Sequence, residues 1–200
     1  KAQFVDELVR SEGLSAARAQ QQVEDAIDLW VWHAGWTDKI AQIGGSANPV
    51  AGPYFNLSVP EPTGVVAIVA PQQQGLLGLT SVIAPALVTG NAVVVVPAAS
   101  SPLAAISLGE VLATSDLPGG VVNVLTGDPA ELAPWLAGHA DVNALDLTGA
   151  GGLDWVELEV IAADTLKRVI RPEPGLAPET PQRILALTET KTVWHTKSRL

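Results

Sequence analysis

Residues 64–97 read GVVAIVAPQQQGLLGLTSVIAPALVTGNAVVVVP and contain no charged side chain. Val65–Ala70 and Ala92–Val96 are short apolar runs, and the segment between them, about Leu76–Thr89, is closed by Gly90. Two apolar runs of strand length that flank a segment of helix length are typical of a βαβ unit. Because both runs are continuously apolar, we predict parallel strands that are covered by helices on both faces.

The same alternation of helix and strand continues toward the C-terminus. The further predicted elements, in chain order, are helix 102–114, strand 121–125, helix 129–137, strand 142–147, helix 153–166 and a short strand at 169–170. This order predicts an α/β fold built on a doubly wound parallel sheet with right-handed crossovers.

The N-terminal segment is predicted to be helical. Apolar spacing predicts a short helix over 2–11 and a longer one from Ser15 to about Ile43, with Gly13 as a left-handed cap between them. After these helices, Tyr54–Val59 alternates between apolar and polar residues in a proline-rich stretch. We interpret it as an edge strand or ribbon, because proline is tolerated at strand edges.

These elements suggest one domain followed by a tail. The domain spans 1–172, with a helical part over 1–45 and a β/α part over 64–172. The prolines of 171–181 indicate a linker, so 173–200 is assigned to a linker and a C-terminal tail.

Composition excludes several classes of function. Of the 200 residues, 48% are hydrophobic, the formal net charge is −10 and there is no cysteine. The lack of cysteine excludes disulfides, thiolate metal sites and a cysteine nucleophile within this chain. The negative charge, without a basic patch, argues against nucleic acid or an anionic membrane surface as a partner. The chain does not begin with methionine, so we expect it to be a fragment of a longer product.

Two further checks concern membranes and metals. The uncharged stretch is interrupted by Pro71, Pro85 and other turn residues, so it is too fragmented for a membrane-spanning helix. No signal peptide is visible, and we expect a cytoplasmic protein. His33, His139 and His195 lack the spacing of metal ligands, so no metal site is expected.

Ligands of open parallel sheets bind at the carboxyl ends of the strands. There, the glycine-rich Thr148–Gly152 precedes a predicted helix, as in phosphate-binding turns, although glycine after a strand is also common in ordinary turns. The first two strand ends carry only glutamine and serine as polar residues. Asp128 and Asp146 lie at or near other strand ends, where we expect them to cap helices or face solvent.

Three segments together resemble the cofactor-binding domain of the NAD(P)-dependent aldehyde dehydrogenases. These are Pro62–Pro71, Ile83–Asn91 and Leu117–Gly127, and Asp146–Gly149 resembles the F-T-G-S turn of that family. The resemblance covers about 14–172 and implies a Rossmann-like fold. It also implies that Thr148, Gly149 and Ala150 of the turn are vestigial cofactor-binding residues.

The chain departs from the family pattern at the positions that carry its chemistry. Gln73 stands where the family has the asparagine that stabilises the oxyanion, and Val96–Ala99 replaces the ribose-binding K-P-S-E segment. Pro172 falls where the general-base glutamate is expected, although a shift by one residue would place Glu173 there. The nucleophilic cysteine of the family has no counterpart, so the resemblance implies no catalytic residue in this chain.

The resemblance therefore implies a non-catalytic subunit, with no cofactor expected or NAD(P) bound weakly. Lys191–His195 resembles the end of a group of short aldehyde-dehydrogenase-like proteins, in which we expect the catalytic half to be absent. The expected partner is an aldehyde dehydrogenase paralogue or a second copy, with Trp194 buried in the contact. There are two alternatives. The first is an NAD(P)-dependent oxidoreductase acting on aldehydes, or a cofactor-binding subunit with an altered pocket. The second is an unrelated activity on the same fold.

Overall fold

A computed structural model describes residues 1–172 and 179–196. Its helices are numbered in chain order: α1 Ala2–Glu12, α2 Ala16–Ala34, α3 Ile40–Gly44, α4 Gly75–Val88, α5 Pro102–Ala113, α6 Pro129–Gly138, α7 Trp155–Ala163 and α8 Pro181–Leu185. Its strands are β1 Ser46–Ala47, β2 Tyr54–Pro62, β3 Val65–Val69, β4 Ala92–Val96, β5 Val122–Val124, β6 Ala144–Asp146, β7 Arg168–Ile170 and β8 Thr188–Thr196.

The central sheet has five parallel strands in the order β5-β4-β3-β6-β7. From β3, the chain adds β4 and β5 on one side and then returns to add β6 and β7 on the other side. This is the topology of a doubly wound sheet, so the predicted fold class is confirmed. Alternate residues of β3 enter two apolar clusters. Val66 and Ile68 pack with α1, α2, α4 and α5, whereas Ala67 and Val69 pack with α6 and α7.

The predicted helix from Ser15 to Ile43 is wrong in its length. It ends at Ala34, and turns over 35–39 separate it from α3. The amide of Gly35 still donates to the carbonyl oxygen of Val31, but that of Trp36 donates to His33, three residues back. A three-residue hydrogen bond tightens the chain and ends the regular helix.

The strand predicted at Tyr54–Val59 forms the centre of a three-stranded antiparallel sheet, in the order β1-β2-β8. The alternative of a ribbon is thus confirmed, because β2 and β8 pair over nine positions from Tyr54↔Thr196 to Pro62↔Thr188. The pairs to β1 end at Ser58, so Pro60 and Pro62 lie where β2 has only one neighbour. Proline is tolerated in that position.

The C-terminal segment packs back onto its own chain. Pro181, predicted as the end of the linker, begins α8, while 173–178 lie outside the described residues. Ile184 and Leu187 are fully buried, and the carbonyl of Leu187 accepts hydrogen bonds from the amide of Thr63 and from the Asn91 side chain. The described part of the tail is therefore integral to the fold.

Candidate functional site

The turn that follows β6 makes a close approach to the end of β3. A Cβ atom at Gly149 would overlap the carbonyl oxygen of Ala70, so only glycine fits this position. Ala150 is completely buried beside it. Sequence analysis placed this turn at a strand end, and the structure confirms that location.

The backbone donors of this turn already have partners within the chain. The amide of Thr148 donates to Asp146 Oδ1 at 2.9 Å, that of Gly149 to the carbonyl of Val69 at 2.8 Å, and that of Ala150 to the carbonyl of Leu147 at 2.8 Å. A phosphate at this turn would have to compete with these bonds. The assignment of Thr148, Gly149 and Ala150 to cofactor binding therefore stays a prediction.

The end of β3 is organised by glutamine side chains. Gln72 bridges two strand ends, because its Nε2 donates to the carbonyl of Ala70 and its Oε1 accepts from the amide of Ala99. Gln73, at the predicted oxyanion position, is exposed, and Gln74 has a left-handed backbone with φ of 55°. Glu12 Oε1 accepts from the amide of Gly75 at 2.9 Å, so a carboxylate of the chain itself caps α4.

An open cleft of about 640 Å³ lies between the ends of β4 and β5. It is bounded by Pro97–Ala99 on one side and by Thr126–Asp128 on the other. Asp128 Oδ1 accepts from the amide of Ala130 and caps α6, as predicted for this residue. The side chains at the β4 end, Val96–Ala99, offer no hydrogen-bonding group to a ligand.

A buried polar cluster joins the tail to the central sheet. Arg183 Nη2 donates to Thr148 Oγ1 at 3.1 Å and to Asp146 Oδ2 at 3.4 Å, and Thr148 Oγ1 donates to Asp146 Oδ1 at 2.5 Å. Asp146 neither caps a helix nor faces solvent, so that prediction is wrong. Burial raises the pKa of the Asp146 carboxyl above its ordinary value. Arg183 and the two hydrogen bonds from Thr148 lower the pKa, but by less than burial raises it.

Sequence analysis missed Arg183. The signal was an acidic residue between two leucines in a buried strand, since such a carboxylate requires a partner somewhere in the fold. Which basic residue supplies the partner depends on tertiary structure, because Arg183 is 37 positions from Asp146.

His33 is the second buried titratable group of interest. It is 1% exposed, its Nδ1 lies 3.0 Å from the carbonyl oxygen of Leu29, and its Nε2 has no partner among the described residues. Burial is the largest effect and lowers the pKa of this imidazole. The hydrogen bond with the Leu29 carbonyl raises it by less, and the smaller effects of Arg183 and Glu179 lower and raise it, respectively. Trp32 packs edge-on against the His33 ring, so a packing role fits the position of Trp32.

Aromatic side chains gather at one end of the β2–β8 ribbon. Tyr54 and Trp194 meet edge to face with their ring centroids 6.0 Å apart, and Phe55 follows in β2. These three rings, here called the ribbon aromatics, are 40%, 60% and 43% exposed, respectively. Most of the Trp194 side chain is therefore left uncovered by the described residues of its own chain.

Within residues 1–172 and 179–196, no cluster of three or more potential ligands could hold a metal ion. Over the same part of the chain, no helix has the length and apolar character needed to cross a membrane.

The sequence profile described as the aldehyde dehydrogenase family matches residues 1–170. The chain belongs to the aldehyde dehydrogenase family. It is 36% identical over 147 residues to retinal dehydrogenase 2 of Mus musculus, an alignment that covers 74% of this chain and 28% of that protein.

Solved structures of aldehyde dehydrogenases share the fold. The chain is similar to an aldehyde dehydrogenase from Brucella melitensis with a TM-score of 0.73 and 26% identity, covering 83% of this chain and 34% of that one. A betaine aldehyde dehydrogenase from Staphylococcus aureus, in complex with NAD⁺, gives a TM-score of 0.73 and 25% identity, covering 83% and 32%, respectively. The chain therefore spans about a third of the length of these family members.

The residues present do not fit a dinucleotide well. The amides of the glycine turn donate to acceptors within the chain instead of facing a ligand, and Val96–Ala99 supplies only apolar side chains at the neighbouring strand end. No reaction step through a nicotinamide cofactor follows from this arrangement.

Proposed function

We propose that the chain is a non-catalytic subunit of the aldehyde dehydrogenase type, which acts through contacts with an active aldehyde dehydrogenase. Two features of the sequence support the non-catalytic part. None of the 200 residues is a cysteine, and Pro172 stands at the expected position of the general base. Without a thiolate, the chain cannot form the covalent adduct with an aldehyde by which a cysteine nucleophile acts.

The observation that carries the proposal is the exposure of the ribbon aromatics. Register places Phe55 opposite His195 and Asn56 opposite Trp194. Because side chains alternate between the two faces of a ribbon, Tyr54 and Trp194 share one face, and Phe55 lies on the other face at the same end. Exposed tyrosine and tryptophan in one patch are characteristic of protein interfaces. An aldehyde dehydrogenase paralogue is the preferred partner, because proteins of common descent inherit matching interface surfaces. Self-association through the same patch is the alternative. The proposed location is the cytoplasm.

The partner is tested by co-expression with a full-length, cysteine-bearing aldehyde dehydrogenase from the same cells. We expect the two chains to co-purify, and we expect the double variant Tyr54→Ser and Trp194→Ser, which removes both rings of the shared face, to lose the partner. Trp135→Ser is the matched control, because Trp135 is 78% exposed but lies on α6. If wild-type chain binds no dehydrogenase, and light scattering shows a monomer at micromolar concentration, the proposal is wrong.

A second candidate function is binding of NAD(P) in an altered pocket. The cleft between the ends of β4 and β5 supports it, as does the complex of the Staphylococcus aureus relative with NAD⁺. We expect millimolar affinity or none. Each unpaired ribose hydroxyl costs about 1–3 kcal/mol, so two such losses weaken binding by roughly two to three orders of magnitude. A micromolar dissociation constant from calorimetry would favour this candidate over the first.

A further inference from the structure

A second cleft, of about 460 Å³, opens between the carboxyl ends of β6 and β7 and helix α8. Its polar lining consists of hydrogen-bond donors from three elements: Thr148, Arg171, Gln182 and Arg183. No carboxylate is among its described lining residues. Each of the two guanidiniums has a carboxylate partner outside the lining, Asp146 for Arg183 and Glu159 for Arg171.

Arg183 is the deepest of these donors, with 7% of its side chain exposed. A guanidinium has five N–H donors, and the described partners of Arg183 are reached through Nη2 alone. Its Nε is buried without a partner, and the contact with Asp146 is a single one of 3.4 Å. Because Nε is enclosed by the protein, the capacity of Arg183 for a further acceptor lies in Nη1, which has no partner among the described residues.

Arg171 brings a second guanidinium to the mouth of the cleft. Its Nε and Nη2 contact the carboxylate of Glu159, with Nη2 at 2.7 Å from Oε1. Those bonds hold the side chain in place and leave Nη1 without a partner among the described residues. Val169 and Ile170 complete the lining on the strand side. Of the two, the Ile170 side chain lies on the same face of the sheet as Leu187 and makes that wall apolar, whereas Val169 packs on the opposite face.

We propose that this cleft binds a small aliphatic carboxylate, whose oxygens contact Arg183 and Arg171 and whose alkyl group packs on Ile170. Planar, two-oxygen anions match the fork of a guanidinium better than other anions do. The apolar wall favours a ligand that carries a short alkyl group over one that is only an oxyanion. This inference does not depend on the proposed function.

The test is calorimetric titration of the full chain with sodium butyrate at constant ionic strength, with bicarbonate as the comparison ligand. We expect saturable binding of one butyrate per chain and weaker binding of bicarbonate. Arg171→Gln is expected to weaken binding about tenfold or more, since a hydrogen bond to a charged group is lost. Ala186→Leu, which places a larger side chain in the lining, is expected to abolish it.

Two matched variants separate the site from general effects of charge. Arg18→Gln removes the same charge from an exposed position on α2, and binding should be unchanged. Glu159→Gln removes the partner of Arg171 while keeping the guanidinium, and binding should persist. The proposal is overturned if butyrate shows no saturable binding, if bicarbonate binds as tightly, or if Arg171→Gln and Ala186→Leu bind butyrate like the wild type.

Discussion

At the residue scale, His33 sets how the stability of the fold responds to acid. Its pKa is lowered below the ordinary value of 6.5, mainly because burial disfavours the charged ring. The unfolded chain therefore binds a proton at a higher pH than the folded chain does. The contribution of His33 to stability is complete above about pH 6.5 and is lost as the pH falls toward its folded pKa.

We expect the free energy of unfolding to decrease as the pH falls from about 7.5 to about 5, with a contribution from His33 of at most about 1.4 kcal/mol per pH unit. His33→Gln should flatten this dependence, because glutamine does not titrate. His139→Gln is the control, since His139 is exposed on the surface. Urea denaturation at a series of pH values measures the effect. Equal slopes for wild type and His33→Gln would contradict the prediction.

At the scale of elements, the pairing of β8 with β2 determines whether the C-terminal tail packs on its own chain or on another copy. Ser58 and Thr192 are opposite each other in the register, with their hydroxyl oxygens 2.8 Å apart. The chain has no native cysteine, so a pair introduced here is the only possible disulfide. It would close a loop of more than a hundred residues.

We expect the double variant Ser58→Cys and Thr192→Cys to oxidise within one chain and to unfold at a higher denaturant concentration. The loop-entropy account gives a stabilisation of about 5 kcal/mol for such a loop. A mixture of the two single variants tests pairing between chains. A disulfide-linked dimer in that mixture, seen by non-reducing electrophoresis, would show that tails exchange and contradict pairing within the chain.

The elements that sequence analysis predicted correctly are those with a local signal. The two apolar runs of β3 and β4 require cover on both faces, and Pro102 and Pro129 mark the first turns of α5 and α6. Helix α8 lies in the segment that was assigned to a linker and tail, because its position comes from tertiary packing: Ile184 is fully buried, whereas Gln182, two residues before it, is exposed. No local pattern predicts that environment.

The candidate site was predictable in place but not in chemistry. Sequence placed the turn containing Gly149 at a strand end, which the parallel topology confirms. It could not show that the Gly149 amide donates to Val69, because that bond depends on how two strands align. The role of Arg183 depends in the same way on a contact between distant parts of the chain.

At the scale of the whole molecule, the proposal makes a prediction about catalysis. We expect no oxidation of aldehydes with NAD or NADP by the purified chain, because no thiol is available as nucleophile. Absorbance of the reduced cofactor at steady state measures the rate, with a cysteine-bearing relative as the positive control. A rate above buffer that survives removal of contaminating enzymes would contradict the prediction.

The contact between Gly149 and Ala70 has a consequence for how such chains change over generations. Because a side chain at position 149 would collide with the backbone of β3, selection for folding alone retains the glycine. Under the proposed function, residues that served only a ligand are free to drift, and an apolar segment such as Val96–Ala99 is what such drift would leave. A lineage of that kind would keep part of the family's signature, because the fold requires this glycine whether or not a ligand binds.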